Sequence, residues 1–270
     1  PDTLKATGMI SNPRFLGFVS KVCNSIYSSV TKIVVLSPGF KNLLVTRGVP
    51  DSKIEIIYNW ADEIALRHTA SETPKELDSK KNFKVLFAGN VGQAQGLNVI
   101  LDAALLLKDD VPEIDFLVLG RGLQLDDLKK RKNELNLVNV HFLPAVGMEK
   151  VGSFLRSADA LLIHLNSDPL FEITIPGKTQ AYMAVGKPII MGVSGDASNL
   201  VLRADCGVCF EPEKSADLAD AVKGLILLSR SDMRRLGENA EKFYDEYLSV
   251  KVGVDCFANV FNEVIYMERS

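Results

Sequence analysis

The residues best suited to chemistry lie in one stretch, 164–191, which reads HLNSDPLFEITIPGKTQAYMAVGKPIIM. Pro176 occupies the predicted first position of a helix, and Gly186 followed by a lysine and a proline ends that helix. Residues 174–178 are therefore predicted to form a helix amino terminus at the carboxyl edge of a parallel sheet. Free backbone amides and the helix dipole favour an anion at such a terminus.

Two hydrogen-bonding side chains flank this terminus. Glu172 precedes the helix, and Gln180, eight positions later, lies one turn inside it. Such a pair can hold two ends of one polyhydroxylated ligand while the amides between them take a phosphate. Lys178 supplies the positive charge that a diphosphate needs. We therefore predict a ligand site here; the alternative is a capped surface helix with no ligand.

Two loops at predicted strand ends are further candidates. Residues 89–96, GNVGQAQG, lie between a predicted strand and a helix, where glycines let backbone amides approach a phosphate. Their spacing departs from the G-x-G-x-x-G dinucleotide fingerprint, and a plain tight turn is the alternative. Arg121 ends the next predicted strand, where its guanidinium suits a phosphate; a solvated loop arginine is its alternative.

Histidines and cysteines give weaker signals. His164 ends a predicted strand at the ligand edge, with a satisfied structural histidine as the alternative. Cys206 and Cys209 form a single C-x-x-C, which is weak evidence for zinc and is better explained by buried structural cysteines. The sequence has no Ser-His-Asp, H-E-x-x-H or D-x-D constellation. We therefore expect neither hydrolytic nor metal-clamped chemistry, and no cofactor.

The elements that must position these residues follow an alternating pattern. Short, mostly continuous apolar runs predict strands buried on both faces at residues 32–36, 53–58, 84–89, 115–120, 138–143, 160–164, 188–191 and 207–210. A 3.6-residue period predicts helices at 97–108, 123–136, 148–157, 177–185, 197–203, 215–229, 231–246 and 250–267. The sequence therefore predicts an α/β fold with a doubly wound parallel sheet.

The chain divides at a polar segment. Residues 68–81, HTASETPKELDSKK, carry no apolar periodicity and are predicted to form a linker or long surface loop. The segment before it holds only two predicted strands and looks like the end of a domain whose beginning lies outside this chain. Residues 82–247 supply the other six strands, enough for a complete domain.

Composition excludes several classes of protein. With 47% hydrophobic and 24% charged residues, the chain is an ordinary globular one rather than disordered or fibrous. A net charge of −3 gives no footprint for nucleic-acid binding. No apolar run approaches the roughly 18 residues of a membrane span, and the first residues lack a signal-peptide pattern. Four cysteines in a chain of this length suggest a reducing compartment, so we expect a cytoplasmic location.

The motifs resemble a known family. The strand leading through GNVGQAQGL into a helix, then LVLGRG, then FEITIPGKTQAYMAVGKPII, resembles the nucleotide-sugar-binding half of family 4 retaining glycosyltransferases of the GT-B fold. The resemblance is strongest toward the bacterial O-antigen and capsular polysaccharide branch. It implies a complete C-terminal Rossmann-like doubly wound domain at 82–247. It also implies the last part of an N-terminal Rossmann-like acceptor-binding domain at 1–81, with the domain's beginning missing, and a closing helix at 248–270 that crosses back to that domain.

The family's paired glutamates fall on Glu172, which the resemblance assigns to the donor sugar, and on Gln180, assigned to the ribose. Glutamine can still accept from one hydroxyl and donate to another. The family's arginine and lysine for the diphosphate fall on the uncharged Asn90 and Gln95. This departure shifts the expected charge to Lys178 and Arg121.

Motifs and resemblance together predict a site without metal, in which Glu172 and Lys178 are catalytic. The base is expected to stack near residues 144–146. The predicted donor-binding residues are Gly89, Asn90, Gly92, Gln95, Arg121, Pro144, Val146, His164, Ile173, Thr174, Ile175, Pro176, Thr179 and Gln180.

The resemblance implies transfer of a hexosyl or N-acetylaminosugar group, with retention of configuration, from a nucleotide-sugar to a saccharide acceptor. We expect a UDP-sugar donor and a lipid-linked acceptor in bacterial surface polysaccharide synthesis, and a fragment that is inactive alone. The alternatives are a sugar-nucleotide epimerase of the same architecture, which needs catalytic carboxylates and a histidine, and a non-catalytic nucleotide-sugar-binding module.

Peripheral association with the inner face of the cytoplasmic membrane is a further expectation for a full-length protein. The apolar helix at 15–30 could contribute to it, although packing within the rest of its domain is the alternative.

Overall fold

A computed structural model of the protein describes residues 12–67, 74–78 and 82–269. Its first part contains a pair of parallel strands, with Ile33 opposite Ile54. A small core of Val35, Leu44, Val49 and Ile54 lies behind them. The elements in chain order are α1 (Pro13–Ser29), β1 (Ile33–Val35), α2 (Pro38–Thr46), β2 (Ile54–Ile56), α3 (Glu63–Arg67) and α4 (Lys75–Asp78).

The second part is a six-stranded parallel sheet. Its strands are β3 (Phe83–Asn90), β4 (Ile114–Arg121), β5 (Val140–Leu143), β6 (Ala160–His164), β7 (Ile189–Gly192) and β8 (Gly207–Cys209). They lie side by side in the order β5-β4-β3-β6-β7-β8. The order reverses between β3 and β6, so a crevice opens at the carboxyl ends of these two strands, where open α/β sheets bind ligands.

Helices cover both faces of this sheet. They are α5 (Asn98–Leu107), α6 (Leu125–Glu134), α7 (Met148–Ser157), α8 (Pro169–Glu172), α9 (Gly177–Ala184), α10 (Asp196–Arg203), α11 (Ser215–Ile226), α12 (Arg230–Tyr247) and α13 (Val250–Arg269). Along β3, Val85 and Phe87 belong to one core and Leu86 and Ala88 to the other. This alternation explains why the strands read as continuous apolar runs: both faces are buried.

The predicted doubly wound parallel α/β sheet is confirmed, and every predicted strand and helix is present with ends shifted by at most a few residues. Four helices were not predicted. Three of them, α3, α4 and α8, are too short to show a period. The fourth, α2, carries a recognisable start signal, because Ser37 caps the helix and Pro38 is its first residue.

The structure describes only residues 74–78 of the segment 68–81, which is predicted to be a linker or long surface loop. Residues 68–73 and 79–81 lie outside the described residues, but Lys75–Asp78 forms a helical turn. Leu77 is only 1% exposed and belongs to the same core as Leu66 and Tyr182. One leucine therefore anchors a polar segment to the large domain, and composition averaged over the segment conceals it.

The first part of the chain also contacts the last helices. Lys32 Nζ lies 3.2 Å from a Glu263 carboxylate oxygen of α13. The Tyr244 hydroxyl of α12 accepts from the N–H of Ala61 at 3.1 Å and donates to Glu63 at 2.9 Å. Within the described ranges, no helix combines the length and apolar character needed to cross a membrane.

Candidate functional site

The carboxyl ends of β3 and β4 approach closely at paired glycines. Gly89 lies opposite Gly120, and Asn90 opposite Arg121. A Cβ atom at Gly120 would lie 1.9 Å from the carbonyl oxygen of Gly89, closer than any side chain can be placed. Glycine is therefore required for this strand geometry, which leaves the backbone bare at the crevice.

A cleft of about 430 Å³ opens beside these strand ends. Its walls are mostly apolar and come from β3, β4, the segment after β5, α7 and α9. Five of the predicted site residues line it: Gly89, Asn90, Arg121, Val146 and Lys178. The other lining residues are Leu66, Ala88, Leu119, Gly120, Ala145, Met148, Val151, Leu155, Gly177, Ala181 and Tyr182. The cleft thus combines an apolar floor with two cations.

Lys178 is the more enclosed of these cations. Its Nζ lies 4.2 Å from the centre of the Phe87 ring. Burial lowers the pKa of Lys178 from its ordinary value of 10.5 to about 8. Among the described residues, no carboxylate pairs with Lys178. A poorly solvated ammonium with no counter-ion in the described part of the chain is well suited to an anionic ligand.

The start of α9 adds backbone donors to the same wall. Pro176 is the N-cap rather than the first helical residue, one position from where the sequence predicts it. Gly177 and Lys178 both line the cleft, and the first amides of a helix have no partner within it. The N–H of Thr179 is already bonded to the carbonyl of Pro176 at 2.8 Å. Backbone N–H groups and the Lys178 charge therefore act together at this point.

The glycine-rich loop after β3 is ordered by its own side chains. Gln95 Oε1 accepts from the N–H of Gly92 at 3.0 Å and from Asn90 Nδ2 at 3.2 Å. Gly96 follows with φ of +53°, which ends the short turn Gln93–Gln95. The side-chain oxygen of Gln95 therefore stabilises the loop, while Asn90 lines the cleft wall. Ligand contacts for Asn90, Gly92 and Gln95 remain predictions.

His164 has both ring nitrogens engaged with the main chain. Nδ1 donates to the carbonyl of Gln95 at 2.7 Å, and Nε2 accepts from the N–H of Glu213 at 2.9 Å. Burial lowers the pKa of His164, which favours the neutral ring that this pattern requires. The ring also stacks on Phe210. This geometry favours the structural alternative for His164 over donor binding.

Glu172 ends α8 and its side chain is exposed, outside the walls of the 430 Å³ cleft. The loop after it is held by local contacts. Thr174 Oγ1 donates to the carbonyl of Leu170 at 2.7 Å, Ile175 is buried in the core, and Ile173 packs against Gly39. Of this loop, the Glu172 carboxylate is the group most available to a ligand.

Gln180 and Thr179 lie deeper than the sequence suggests. Both are completely buried, and neither lines the cleft. Gln180 Nε2 donates to Asn59 Oδ1 at 2.9 Å, whereas Gln180 Oε1 and Thr179 Oγ1 find no hydrogen-bond partner among the residues that the structure describes. Ribose contact by Gln180 remains a prediction, and it requires this buried oxygen to become accessible.

Among the described cleft residues that the sequence did not predict, Tyr182 is the one with a polar side chain. The Tyr182 hydroxyl accepts from the N–H of Ala88 at 2.9 Å and donates to the Ala88 carbonyl oxygen at 3.3 Å. Burial raises the pKa of Tyr182, so the phenol stays neutral. Tyr182 lies four residues after Lys178, and this spacing places both on one face of α9. This four-residue spacing is the sequence signal that could have identified Tyr182 as a neighbour of Lys178 in the site.

Pro144 is exposed and does not line the cleft, although the neighbouring Ala145 and Val146 do. Cys206 is buried, which raises its pKa to about 12, and it is a free thiol, as is Cys209. Over the part of the chain that the structure describes, no three His, Cys, Asp or Glu side chains lie together as a metal site would require.

Comparison with known proteins gives a family match over most of the chain. Residues 69–243 match the sequence profile described as "Glycosyl transferases group 1". WbjE of Pseudomonas aeruginosa, named as a glycosyltransferase, is 24% identical over 97% of this chain and 67% of its own length. WcaI of Escherichia coli (strain K12), whose name places it as a glycosyl transferase in colanic acid biosynthesis, is 24% identical over 75% of this chain and 51% of its own length.

The fold is shared with solved structures. Anabaena Alr3699/HepE, crystallised in complex with UDP and glucose, superposes with a TM-score of 0.74 at 18% identity. The superposition covers 90% of this chain and 66% of that one. The chain thus spans about two-thirds of WbjE and of HepE, and about half of WcaI. These similarities confirm the predicted GT-B fold.

Proposed function

Because the chain belongs to the glycosyl transferases group 1 family, we propose that it binds a nucleotide-sugar and contributes to sugar transfer in the synthesis of a bacterial surface polysaccharide. One observation carries this proposal. Lys178, with no counter-ion among the described residues, lies beside the start of α9 in an apolar cleft at the point where the strand order reverses. The names of WbjE and WcaI support the class of reaction and the type of product.

We assign the nucleoside diphosphate one orientation in the cleft, with its diphosphate and its base at different walls. The diphosphate is assigned to Lys178, Arg121 and the first amides of α9, because these groups bring positive charge and backbone donors to the described walls of the cleft. The base is assigned to the apolar segment after β5, where Ala145 and Val146 line the wall. HepE binds UDP, and this supports UDP as the nucleotide.

The sugar then points toward Glu172, whose exposed carboxylate can accept from sugar hydroxyls. In the proposed reaction the bond between the anomeric carbon and the diphosphate breaks. The new bond to the acceptor oxygen forms with retention of configuration, and the acceptor proton leaves with the diphosphate. Lys178, Arg121 and the α9 amides stabilise the developing diphosphate charge in place of a metal ion. No step in this scheme uses a cofactor.

The acceptor belongs to the same proposal. We assign a lipid-linked saccharide, with the reaction at the cytoplasmic face of the membrane and the residues before 82 on the acceptor side. Positioning of the acceptor supplies a large part of the rate. We therefore expect sugar transfer at the full rate only when the acceptor-binding part of the protein is complete. Family 4 membership and the branch that makes O-antigen or capsule are parts of this proposal too.

The epimerase alternative loses its main support. It needs a histidine that can exchange a proton with the ligand, and both ring nitrogens of His164 are bonded to the main chain. Glu172 supplies one carboxylate, and His164 has no free ring nitrogen with which to act beside it. The site geometry therefore favours sugar transfer over epimerisation.

A thermal-shift panel tests the proposal. A ligand that binds only the folded state at about 100 times its Kd stabilises that state by about 2.7 kcal/mol. We expect UDP and at least one UDP-sugar to raise the Tm of the 270-residue chain. Lys178→Ala should abolish most of this rise, whereas Lys129→Ala, an exposed lysine on α6, should keep it. No rise with any nucleoside diphosphate would overturn the proposal.

A further inference from the structure

The loop that carries Glu172 is held by the start of α2, more than a hundred residues away in sequence. Ser37 is fully buried, and its Oγ donates to the carbonyl oxygen of Ile173 at 2.5 Å. The N–H of Gly39 donates to Asp196 Oδ2 at 2.7 Å. A Cβ atom at Gly39 would lie 2.4 Å from Cγ2 of Ile173. The glycine therefore lets α2 lie directly against the loop.

A second glycine also lies against the main chain of this loop. Gly195 has φ of +79°, and a Cβ atom there would lie 2.0 Å from the carbonyl oxygen of Glu172. Asp196, the next residue, is the one that accepts from Gly39. The two contacts thus form one unit, here called the Glu172 junction, made of Ser37, Gly39, Glu172, Ile173, Gly195 and Asp196.

No residue in the described ranges restrains the Glu172 carboxylate directly. Among the described residues, no hydrogen bond or ion pair to this side chain is found, and the side chain is exposed. Its position therefore depends on the main chain of residues 172–173, which the Glu172 junction holds. The contacts of α2 with Ile173 and Asp196 are the route by which a shift of α2 would reach this carboxylate.

We infer that Ser37 and Gly39 are positioning residues for the donor sugar, acting through the loop that carries Glu172. The inference rests on the proposed function, which assigns this carboxylate to the sugar. The nucleoside diphosphate is assigned to Lys178 and the cleft, which the Glu172 junction does not touch. Disturbing the junction should therefore weaken recognition of the sugar and spare recognition of UDP.

The test compares Gly39→Ala with Gly224→Ala. Both glycines lie in helices, but a Cβ atom at Gly224 meets nothing within 4 Å. Calorimetry on the 270-residue chain measures affinity for UDP, UDP-glucose, UDP-galactose, UDP-N-acetylglucosamine and UDP-N-acetylgalactosamine. For the sugar nucleotide that the unmodified chain binds best, Gly39→Ala should weaken binding at least about fivefold, with UDP affinity within about twofold. Gly224→Ala should change neither.

Ser37→Ala is the second variant, and Ser229→Ala is its matched control. Both serines cap a helix, at α2 and α12, but only Ser37 also bonds the Glu172 loop. Ser37→Ala should reproduce the split between UDP and the UDP-sugar, and Ser229→Ala should not. Hydrogen exchange gives a readout without ligand: both junction variants should speed exchange in residues 171–177 and leave residues 84–90 unchanged.

The outcomes separate the two claims. If the unmodified chain does not bind UDP, the proposed function fails. If it binds UDP but no sugar adds affinity, or if both junction variants keep the sugar contribution and the exchange rate, the positioning role is overturned while UDP binding stands. If Gly39→Ala does not fold, Ser37→Ala decides the question.

Discussion

The Lys178 side chain lies across Gly89: a Cβ atom added to this glycine would be 2.5 Å from Lys178 Cε and 3.0 Å from its Nζ. The glycine at the end of β3 therefore makes room for the cation of the cleft. This contact joins two sequence motifs that lie almost ninety residues apart. It places the charge above the Phe87 ring rather than in solvent.

The first prediction follows from this contact. Gly89→Ala should move the Lys178 ammonium and also strain the backbone, because Gly89 has φ of +139°. Such strain costs about 1–3 kcal/mol. We expect a lower Tm and UDP affinity reduced about as much as in Lys178→Ala, both measured by calorimetry. Gly17→Ala, where a Cβ meets nothing within 4 Å, is the control and should keep UDP affinity.

The second prediction concerns the role of Lys178 itself. Lys178→Ala should weaken UDP binding about tenfold or more, since a hydrogen bond to a charged group contributes about 1.5–3 kcal/mol. Binding of uridine, which has no phosphate, should change little. Isothermal titration with both ligands measures the difference. An equal loss for UDP and uridine would contradict the assignment of Lys178 to the diphosphate.

The third prediction is a pH dependence. Burial lowers the pKa of Lys178 to about 8, so the free protein loses this charge as the pH rises through that value. UDP affinity should therefore be greatest below pH 8 and fall above it, by up to about tenfold per pH unit. Lys178→Arg should hold its charge and flatten the profile between pH 7 and about 9.5. A profile for the unmodified chain that is equally flat would contradict the role of this ammonium.

The fourth prediction separates two roles of Gln180. Gln180→Ala removes the partner of Asn59 in a buried place and should destabilise the fold by about 1–3 kcal/mol, measured by denaturant unfolding. Asn59→Ala breaks the same hydrogen bond without altering α9 and is the control. If Gln180 also binds ribose, only Gln180→Ala weakens UDP, while competition by inorganic pyrophosphate is unchanged. Equal UDP affinity in both variants would leave Gln180 a structural residue.

The fifth prediction concerns metal. A chelator should leave UDP binding unchanged, because the charge of the diphosphate is assigned to Lys178, Arg121 and the α9 amides. Titrations with chelator and with added Mg²⁺ should give the same affinity within about twofold. A strict requirement for Mg²⁺ or Mn²⁺ would show that these groups do not suffice.

Much of this protein can be predicted from local patterns. The continuous apolar runs predict strands buried on both faces, since each strand face meets a core in the folded sheet. Pro176 and Gly186 mark the ends of α9 within a residue or two, because caps depend on local backbone conformation. These two signals together place Lys178 at the carboxyl edge of the sheet.

Other features depend on contacts between distant residues. The sequence shows His164 at the ligand edge, but only the fold brings Gln95 and Glu213 to its two ring nitrogens. It shows Gln180 two residues after Lys178, but only the fold buries Gln180 and brings Asn59 to it. The spacing of residues within a motif does not show which distant residues will become their hydrogen-bond partners.

The sequence by itself determined the parallel sheet, the helix start at α9 and the family, because these rest on periodicity, caps and short motifs. The tertiary structure alone decided which side chains remain available to a ligand. Lys178 lies beside Gly89 with no ion-pair partner among the described residues, and both ring nitrogens of His164 are hydrogen-bonded to the main chain. The loop that carries Glu172 is held through Ser37 and Gly39. The physical reason is that a polar group is free only when nothing else in the folded chain reaches it, and this depends on all the packing around it.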